Sequence, residues 1–134
     1  MIYILDTDIC IYWLKGIDNI KDKIEQIGLK NIHTTIITTA ELYHGAFHSI
    51  KVKENLKSVE NFIKIIKPLP ITKNSAKGFG RIKSELKRQG KIIDNFDILI
   101  ASIVLDNEGI LVTNNIGHFN RIKKLRIENW MTEP

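Results

Sequence analysis

The N-terminal stretch MIYILDTDICIYWLKG, residues 1 to 16, contains the feature that decides the fold. Its first five residues are apolar, with β-branched and aromatic side chains among them, which is typical of a buried strand. Asp6 follows this strand at once, and Asp8 comes two residues later. An isolated carboxylate at the end of a buried strand costs free energy unless another group compensates its charge. The position of Asp6 therefore indicates a functional site at this end of the strand.

The remainder of the chain alternates predicted helices with predicted strands. Further strands are expected at NIHTTI (31–36), LPI (69–71), ILVT (110–113) and RIENW (126–130). Apolar residues at helical spacing predict helices between them, and Gly28, Pro68 and Gly90 mark helix ends. This alternation is typical of a parallel sheet covered by helices on both faces. We therefore expect a single α/β domain over residues 1–134, with three layers and a mostly parallel central sheet.

Composition limits the cellular setting of the protein. Hydrophobic residues make up 43% and charged residues 26% of the 134 residues, as in ordinary globular proteins. No apolar run approaches the roughly 20 residues of a membrane helix, and the N-terminus lacks the pattern of a signal peptide. The single cysteine, Cys10, excludes an internal disulfide framework and fits a reducing compartment. We expect a cytoplasmic protein with no membrane partner.

The net charge is modestly positive, with 20 Lys and Arg residues against 15 Asp and Glu residues, or +5. Such an excess suits a polyanionic partner, although solvated helix faces produce the same pattern. Basic residues cluster between positions 77 and 91 and between 121 and 126. Arg81 and Arg88, in the first cluster, are candidates for phosphate contacts on the ground of this clustering alone.

Two more acidic residues lie at chemically informative positions. Glu41, in TTAELYHG, fits a capping box in which its carboxylate would satisfy backbone N–H groups at a helix start. Asp97, in GKIIDNFDILIAS, belongs to an apolar helix and shares its inward face with Ile100, Ala101 and Val104. An acid on that face is either stabilised by the helix dipole or part of a buried site. Both interpretations stay open for each residue.

Two other aspartates have structural interpretations of comparable weight. Asp8 is expected to cap a short helix over residues 9–14, because its side chain can accept from backbone N–H groups there. Asp94 is expected to cap the helix that carries Asp97, since it follows Gly90 and lies off the apolar face.

Considered together, Asp6, Glu41 and Asp97 indicate one kind of chemistry. Carboxylates that are close together repel each other unless a cation neutralises them. Mg²⁺ and Mn²⁺ prefer such oxygen ligands and keep several waters, one of which can act as a nucleophile. A metal of this kind also stabilises charge on a phosphoryl oxygen. Carboxylates, a metal and a basic surface therefore point to phosphodiester hydrolysis.

The same residues also lie in segments that resemble a known family. YILDTDICIYWLKG, ITTAELYHGA, GKIIDNFDILIAS and ILVTNNIGHFNRIKKLRIENW resemble, in this order and at these separations, the motifs of PIN-domain ribonucleases, above all the VapC-type toxins of toxin–antitoxin modules. The resemblance covers essentially the whole chain. It implies that Asp6, Glu41 and Asp97 bind Mg²⁺ or Mn²⁺ and are catalytic. It further implies cleavage of single-stranded or looped RNA, typically tRNA or rRNA, by a homodimer that a VapB-type antitoxin inhibits in a larger assembly.

One position departs from the pattern of this family. Many PIN domains have a fourth acid shortly after the strand that ends in VT, where this chain has Asn115. An asparagine supplies a neutral oxygen without a charge, which weakens the case for a second tightly bound metal. Thr113 and Asn115 are therefore candidates for contacts with metal-bound water or the scissile phosphate. Asp8 is a candidate for a supporting role next to Asp6, besides the capping role.

Two alternative functions fit part of the pattern. ILDTD and ILVTNN resemble motifs of haloacid dehalogenase-type phosphatases, in which Asp6 would be the nucleophile and Asp8 the acid/base. The order of the remaining motifs argues against this alternative. A non-catalytic PIN-fold protein that binds RNA or an antitoxin is the second alternative. It predicts the loss of at least one of the three acids, and all three are present.

Overall fold

The structure, a computed structural model, describes residues 1–132 of the chain. In these residues a single turn of 3₁₀ helix, Leu29–Asn31, precedes the second strand. The other elements are, in order, β1 Tyr3–Leu5, α1 Thr7–Leu14, α2 Asp18–Ile27, β2 Ile32–Thr35, α3 Ile36–Phe47, α4 Val52–Ile65, β3 Pro68–Leu69, α5 Lys73–Arg88, α6 Asn95–Asp106, β4 Ile110–Val112, α7 Ile116–Phe119 and β5 Arg126–Glu128.

The five strands form one parallel sheet with β1 at its centre. The order is β3-β2-β1-β4-β5, and every pairing between neighbours is parallel. Leu5 at the end of β1 pairs with Val112 at the end of β4, so the carboxyl ends of these strands lie side by side. In open parallel sheets, ligands bind at this edge, outside the carboxyl ends of the strands. The predicted α/β fold with a parallel sheet is confirmed.

The core consists of two clusters, one on each face of the sheet. Ile4 and Leu111 belong to the cluster that includes α5 and α6, whereas Leu5 and Val112 belong to the cluster that includes α1, α2 and α4. Successive residues of a strand point to opposite faces, so this division places helices on both sides of the sheet. The three-layer prediction is therefore confirmed, and Cys10 is a fully buried member of the second cluster.

Helix α6 owes its apolar character to the core. Six of its 12 residues are buried, and it packs against α5 and β4. A helix that is apolar on most of its surface is normally covered by protein or by lipid, and here protein covers it. Within residues 1–132, none of the helices combines the length and the apolarity that a membrane-spanning helix requires.

Two details differ from the sequence-based expectations. The third strand is Pro68–Leu69 rather than LPI, because pairing of Thr34 and Thr35 with these two residues sets its position. Pro68 is tolerated there because β3 lies at the edge of the sheet, where a missing N–H donor costs little. Helix α7 was not predicted, since four residues are too few to show a helical period.

Leu111 allows a test of this arrangement. Its side chain is fully buried in the cluster beneath α5 and α6. We expect Leu111→Ala to lower the free energy of unfolding by about 2–5 kcal/mol, because it removes buried methyl groups and leaves a cavity. Leu29→Ala, at a residue that is 50% exposed, is the matched control and should change it much less. Equal losses for both variants in urea unfolding would contradict the described core.

Candidate active site

Asp6 lies directly beyond β1, at the centre of the carboxyl edge of the sheet. Its backbone N–H donates to the carbonyl of Val112 at 3.0 Å, which continues the pairing with β4 by one residue. Its side chain is only 5% exposed and accepts two hydrogen bonds. The backbone N–H of Ile9 donates to one carboxylate oxygen at 3.1 Å, and the hydroxyl of Thr113 donates to the other. The carboxylate is therefore held in one orientation by helix α1 and by the residue that follows β4.

Asp6, and not Asp8, is the N-cap residue of α1. The prediction that Asp8 caps this helix is wrong, because the helix starts at Thr7 and the bond to the N–H of Ile9 comes from Asp6. Asp8 lies in the first turn and is exposed. There a negative charge is favourable to the helix dipole.

Burial strongly perturbs the ionisation of Asp6. Loss of hydration raises its pKa from the ordinary 3.8 to about 7, although the hydrogen bonds from Thr113 and Ile9 oppose this shift. The negative charges of Asp8 and Asp97 add to the rise. A carboxylate in such surroundings is stabilised by any cation that comes within reach.

Glu41 lies in the second turn of α3, well inside the helix. The structure excludes the capping-box interpretation, because α3 begins at Ile36 and its N-cap is Thr35, whose side chain accepts from the N–H of Thr38. Glu41 is partly buried, and the hydroxyl of Thr7 donates to its carboxylate at 2.6 Å. This hydrogen bond therefore connects Glu41 of α3 to the first residue of α1, next to Asp6.

Asp97 lies in the first turn of α6, and Asp94 is the N-cap residue of that helix, as predicted, although without a side-chain capping bond. The side chain of Asp97 is 24% exposed. One of its carboxylate oxygens lies 3.5 Å from Nδ1 of His118 in α7. Asp97 is thus in contact with helix α7, which the sequence did not predict.

The carboxylates of Glu41 and Asp97 are also perturbed. Burial raises the pKa of both, and the hydrogen bond from Thr7 to Glu41 and the contact of His118 with Asp97 oppose these shifts. Asp97, Asp94 and Asp8 raise the pKa of Glu41, and Asp94 and Asp8 raise that of Asp97. The acids therefore share one electrostatic environment.

The donor set fits a hard divalent cation. Among residues 1–132, no Lys or Arg side chain lies within 4 Å of the carboxylates of Asp6, Glu41 or Asp97, and the imidazole of His118, 3.5 Å from Asp97, is the one basic group in contact with them. In this part of the chain, no three Asp, Glu, His or Cys side chains converge into a ready-made metal cluster. An arrangement in which the acids do not converge is compatible with Mg²⁺, because this ion keeps several waters and binds only one or two carboxylates directly.

Thr113 and Asn115 lie next to the acids but have different contacts. Thr113 is fully buried, donates to Asp6 and accepts from the backbone N–H of Asn115 at 2.9 Å. The side-chain amide of Asn115 lies 2.8 Å from Nδ1 of His118. Asn115 is thus linked to the acids through its neighbours.

The other candidate residues lie away from this group. Arg81 is paired with Glu85 at 3.7 Å, and Arg88 donates to the hydroxyl of Ser84 at 2.8 Å. Both arginines lie on α5, and neither has a described contact with the three acids.

Thr7 and His118 are the neighbours of the acids that the sequence did not reveal. Thr7 lies between Asp6 and Asp8, and no sequence pattern distinguishes a threonine that positions an acid from any other threonine. His118 follows Asn115 by three residues, a spacing that places both on one side of a helix, but the helix itself, α7, has no sequence signal of its own.

Comparisons with known proteins agree with this architecture. The model of the PIN domain family matches residues 3–125. Ribonuclease VapC2 of Haemophilus influenzae is 39% identical over 130 residues, 96% of this chain and 98% of that protein. The tRNA(fMet)-specific endonuclease VapC of Salmonella typhimurium is 33% identical over 129 residues, which cover 96% of this chain and 97% of the relative.

Solved structures also show the similarity of this chain to VapC proteins. The crystal structure of VapBC2 from Rickettsia felis, bound to a DNA fragment from its promoter, contains a chain that superposes with a TM-score of 0.90. The sequence identity is 36%, and the superposition covers 97% of this chain and 99% of that one. The protein belongs to the PIN domain family and, within it, to the VapC ribonucleases.

The raised pKa of Asp6 predicts how stability depends on pH. Because the folded state binds the proton of Asp6 more tightly than the unfolded state, this contribution is complete below about pH 4 and is lost as the pH rises through 7. In chelator-treated protein, Asp6→Asn should therefore raise the free energy of unfolding at pH 8, by roughly 4 kcal/mol at most. The gain should vanish near pH 4.

Urea unfolding at several pH values measures this effect. Asp22→Asn, at an exposed position of α2, removes the same charge and should give no comparable gain. If Asp6→Asn is less stable than the wild type at pH 8, burial does not disfavour the ionised form of Asp6, and the predicted rise of its pKa is wrong.

Proposed function

We propose that this protein is a metal-dependent endoribonuclease, the toxin of a type II toxin–antitoxin module. The observation that carries the proposal is that Asp97 lies close enough to Asp6 and Glu41, which come from two other segments, to raise the pKa of both, while within residues 1–132 no Lys or Arg side chain lies within 4 Å of the three carboxylates. These residues would hold Mg²⁺ or Mn²⁺. When bound, such an ion activates a water molecule and neutralises charge on the phosphate.

The residues of the chain have distinct tasks in this mechanism. Asp6 is held by Thr113 and by the N–H of Ile9, so its orientation is set before substrate binds. Thr7 orients Glu41, and His118 lies against Asp97. Thr113 donates to Asp6, and Thr113 and Asn115 remain proposals for contacts with metal-bound water or the scissile phosphate. Asp8 remains a proposal for a supporting role beside Asp6.

RNA is the substrate that we propose, and tRNA or rRNA loops are its most suitable regions. The name of the Salmonella relative, a tRNA(fMet)-specific endonuclease, supports a tRNA. The net charge of +5 supports a polyanionic partner. Arg81 and Arg88 remain proposals for RNA contacts, because both are on the basic helix α5 and their present partners are exposed and weak.

Membership of the family leads us to propose the protein partners of this chain. The Rickettsia chain was crystallised as VapBC2 with promoter DNA, which supports a VapB-type antitoxin and a larger toxin–antitoxin assembly for this protein. We also propose a homodimer, a cytoplasmic location and a single domain over residues 1–134. The matched PIN region, 3–125, and the continuous five-stranded sheet support the single domain.

Among the alternatives, a non-catalytic PIN-fold protein is the one that still needs an experiment. All three acids are present and share one electrostatic environment, which favours catalysis. Membership of the VapC ribonucleases removes the reason for a haloacid dehalogenase-type phosphatase.

Substitution of Asp97 tests the proposed function. We expect Asp97→Asn to lower RNA cleavage in Mg²⁺ or Mn²⁺ by at least about 100-fold, because a ligand charge for the metal is lost. Chelation of the wild type should have the same effect, and Asp22→Asn is the matched control with unchanged activity. Product gels with cellular RNA measure the outcome. Undiminished metal-dependent cleavage by Asp97→Asn would refute the assignment.

Thr7 allows a test of positioning. Thr7→Val removes the donor to Glu41 while keeping the shape of the side chain, so the Mn²⁺ concentration for half-maximal cleavage should rise about tenfold. Thr7→Ser keeps the hydroxyl and should restore the wild-type value. A loss of maximal rate with an unchanged metal requirement, or no rescue by serine, would show that Thr7 does not act through the metal site.

A further inference from the structure

A cavity of about 310 Å³ lies beside the first turn of α6, the helix that carries Asp97, between the second half of α5 and the segment that leads into α6. It is lined in part by Asp94 and Asn95, and Asn95 is two residues before Asp97 in the same helical turn. Its size is at the lower end of the range of small-molecule sites. Nothing in the proposed chemistry of the carboxylates uses this cavity.

The floor and the rim of the cavity differ in chemistry. Leu86, Ile93 and Ile98 are buried and form an apolar floor. At the rim, Ile92 is 76% exposed, and the exposed Asn95 adds a side-chain amide that has both a donor and an acceptor. A flat apolar ring with polar edges, such as a nucleobase, matches this combination because its faces can pack on the floor and its edges can bond to the rim.

Positive charge accompanies the cavity. Lys83 and Lys87 of α5 line it, and Lys87 is exposed. Arg121 donates to the carbonyl of Ile92 at 3.4 Å, which places a third cation beside the rim. The three acids nearby repel an RNA backbone unless a metal is bound, so cations at this position would hold the phosphates on either side of the cut.

We propose that this cavity binds the base of one unpaired nucleotide next to the scissile phosphate, and so contributes to the choice of the cut site. The inference rests on the proposed ribonuclease function. Charge complementarity favours RNA over an apolar peptide as the occupant, because Lys83 and Lys87 line the cavity and Arg121 lies beside its rim, against one lining acid, Asp94. Asn95 bonds to the base edge, and Ile92 covers one side of the base.

The test combines changes in the protein with changes in the RNA. The proteins are the wild type, Ile92→Asp, Asn95→Ala and the matched control Ile50→Asp, at an isoleucine that is fully exposed and lines none of the cavities near the acids. The substrates are short single-stranded oligoribonucleotides that the wild type cleaves, with an abasic nucleotide placed in turn at each position around the cut. The measured quantity is kcat/KM in Mn²⁺.

For the wild type, we expect one abasic position to lower kcat/KM by about tenfold, as when a stacked base is lost. Ile92→Asp should already be about tenfold slower on the intact RNA, and loss of that base should then have little further effect. Such non-additivity identifies two groups that contact each other. Asn95→Ala should relax the preference for base identity at the same position, and Ile50→Asp should behave as the wild type.

Other outcomes overturn the inference. If every abasic RNA is cleaved like the intact one, or if the effects of Ile92→Asp and base removal multiply, no base occupies the cavity. If Ile92→Asp instead changes the oligomeric state in light scattering, a second copy of the chain covers this surface. If the wild type cleaves RNA in a metal-dependent manner, any of these outcomes contradicts only the role of the cavity and leaves the proposed ribonuclease function intact. If the wild type shows no metal-dependent cleavage, both the ribonuclease function and the role of the cavity are refuted.

Discussion

The hydrogen bond from Thr113 to the buried carboxylate of Asp6 joins the ends of the two central strands, and the candidate site depends on it. Burial of a carboxylate is costly, and the pKa of about 7 expresses that cost. Two donors, the hydroxyl of Thr113 and the N–H of Ile9, offset part of it. The same carboxylate begins α1, which places Thr7 within reach of Glu41.

The buried acids lower the stability of the fold. Burial raises the pKa of all three acids, and within residues 1–132 no Lys or Arg side chain lies within 4 Å of them, so their ionised forms lower the stability of the fold at neutral pH. Sites of this kind are a common reason why functional residues lower stability. The parallel sheet makes the cost tolerable, because its two apolar clusters stabilise the strands on which the acids are mounted.

The fold was largely predictable because its strands and helices have clear periods. β1, β2, β4 and β5 fall within the predicted segments, and Gly28 and Gly90 do follow helix ends, with φ values of +96° and +68° that favour glycine. Capping was harder to predict. Asp6 and Asp8 both have the right chemistry for an N-cap, and only the structure shows that α1 starts at Thr7, directly after Asp6. Helix α7 was invisible because four residues carry no period.

Sequence by itself determined the parallel α/β fold, because apolar periodicity is a local property, and its motifs singled out Asp6, Glu41 and Asp97 as candidates. Only the tertiary structure excluded the capping role of Glu41, since that role depends on where β2 ends and α3 begins. It also revealed the contacts of Thr7 with Glu41 and of His118 with Asp97, and the cavity beside Asn95. These features join residues that are distant in the chain, and distance in space is set by packing rather than by local sequence.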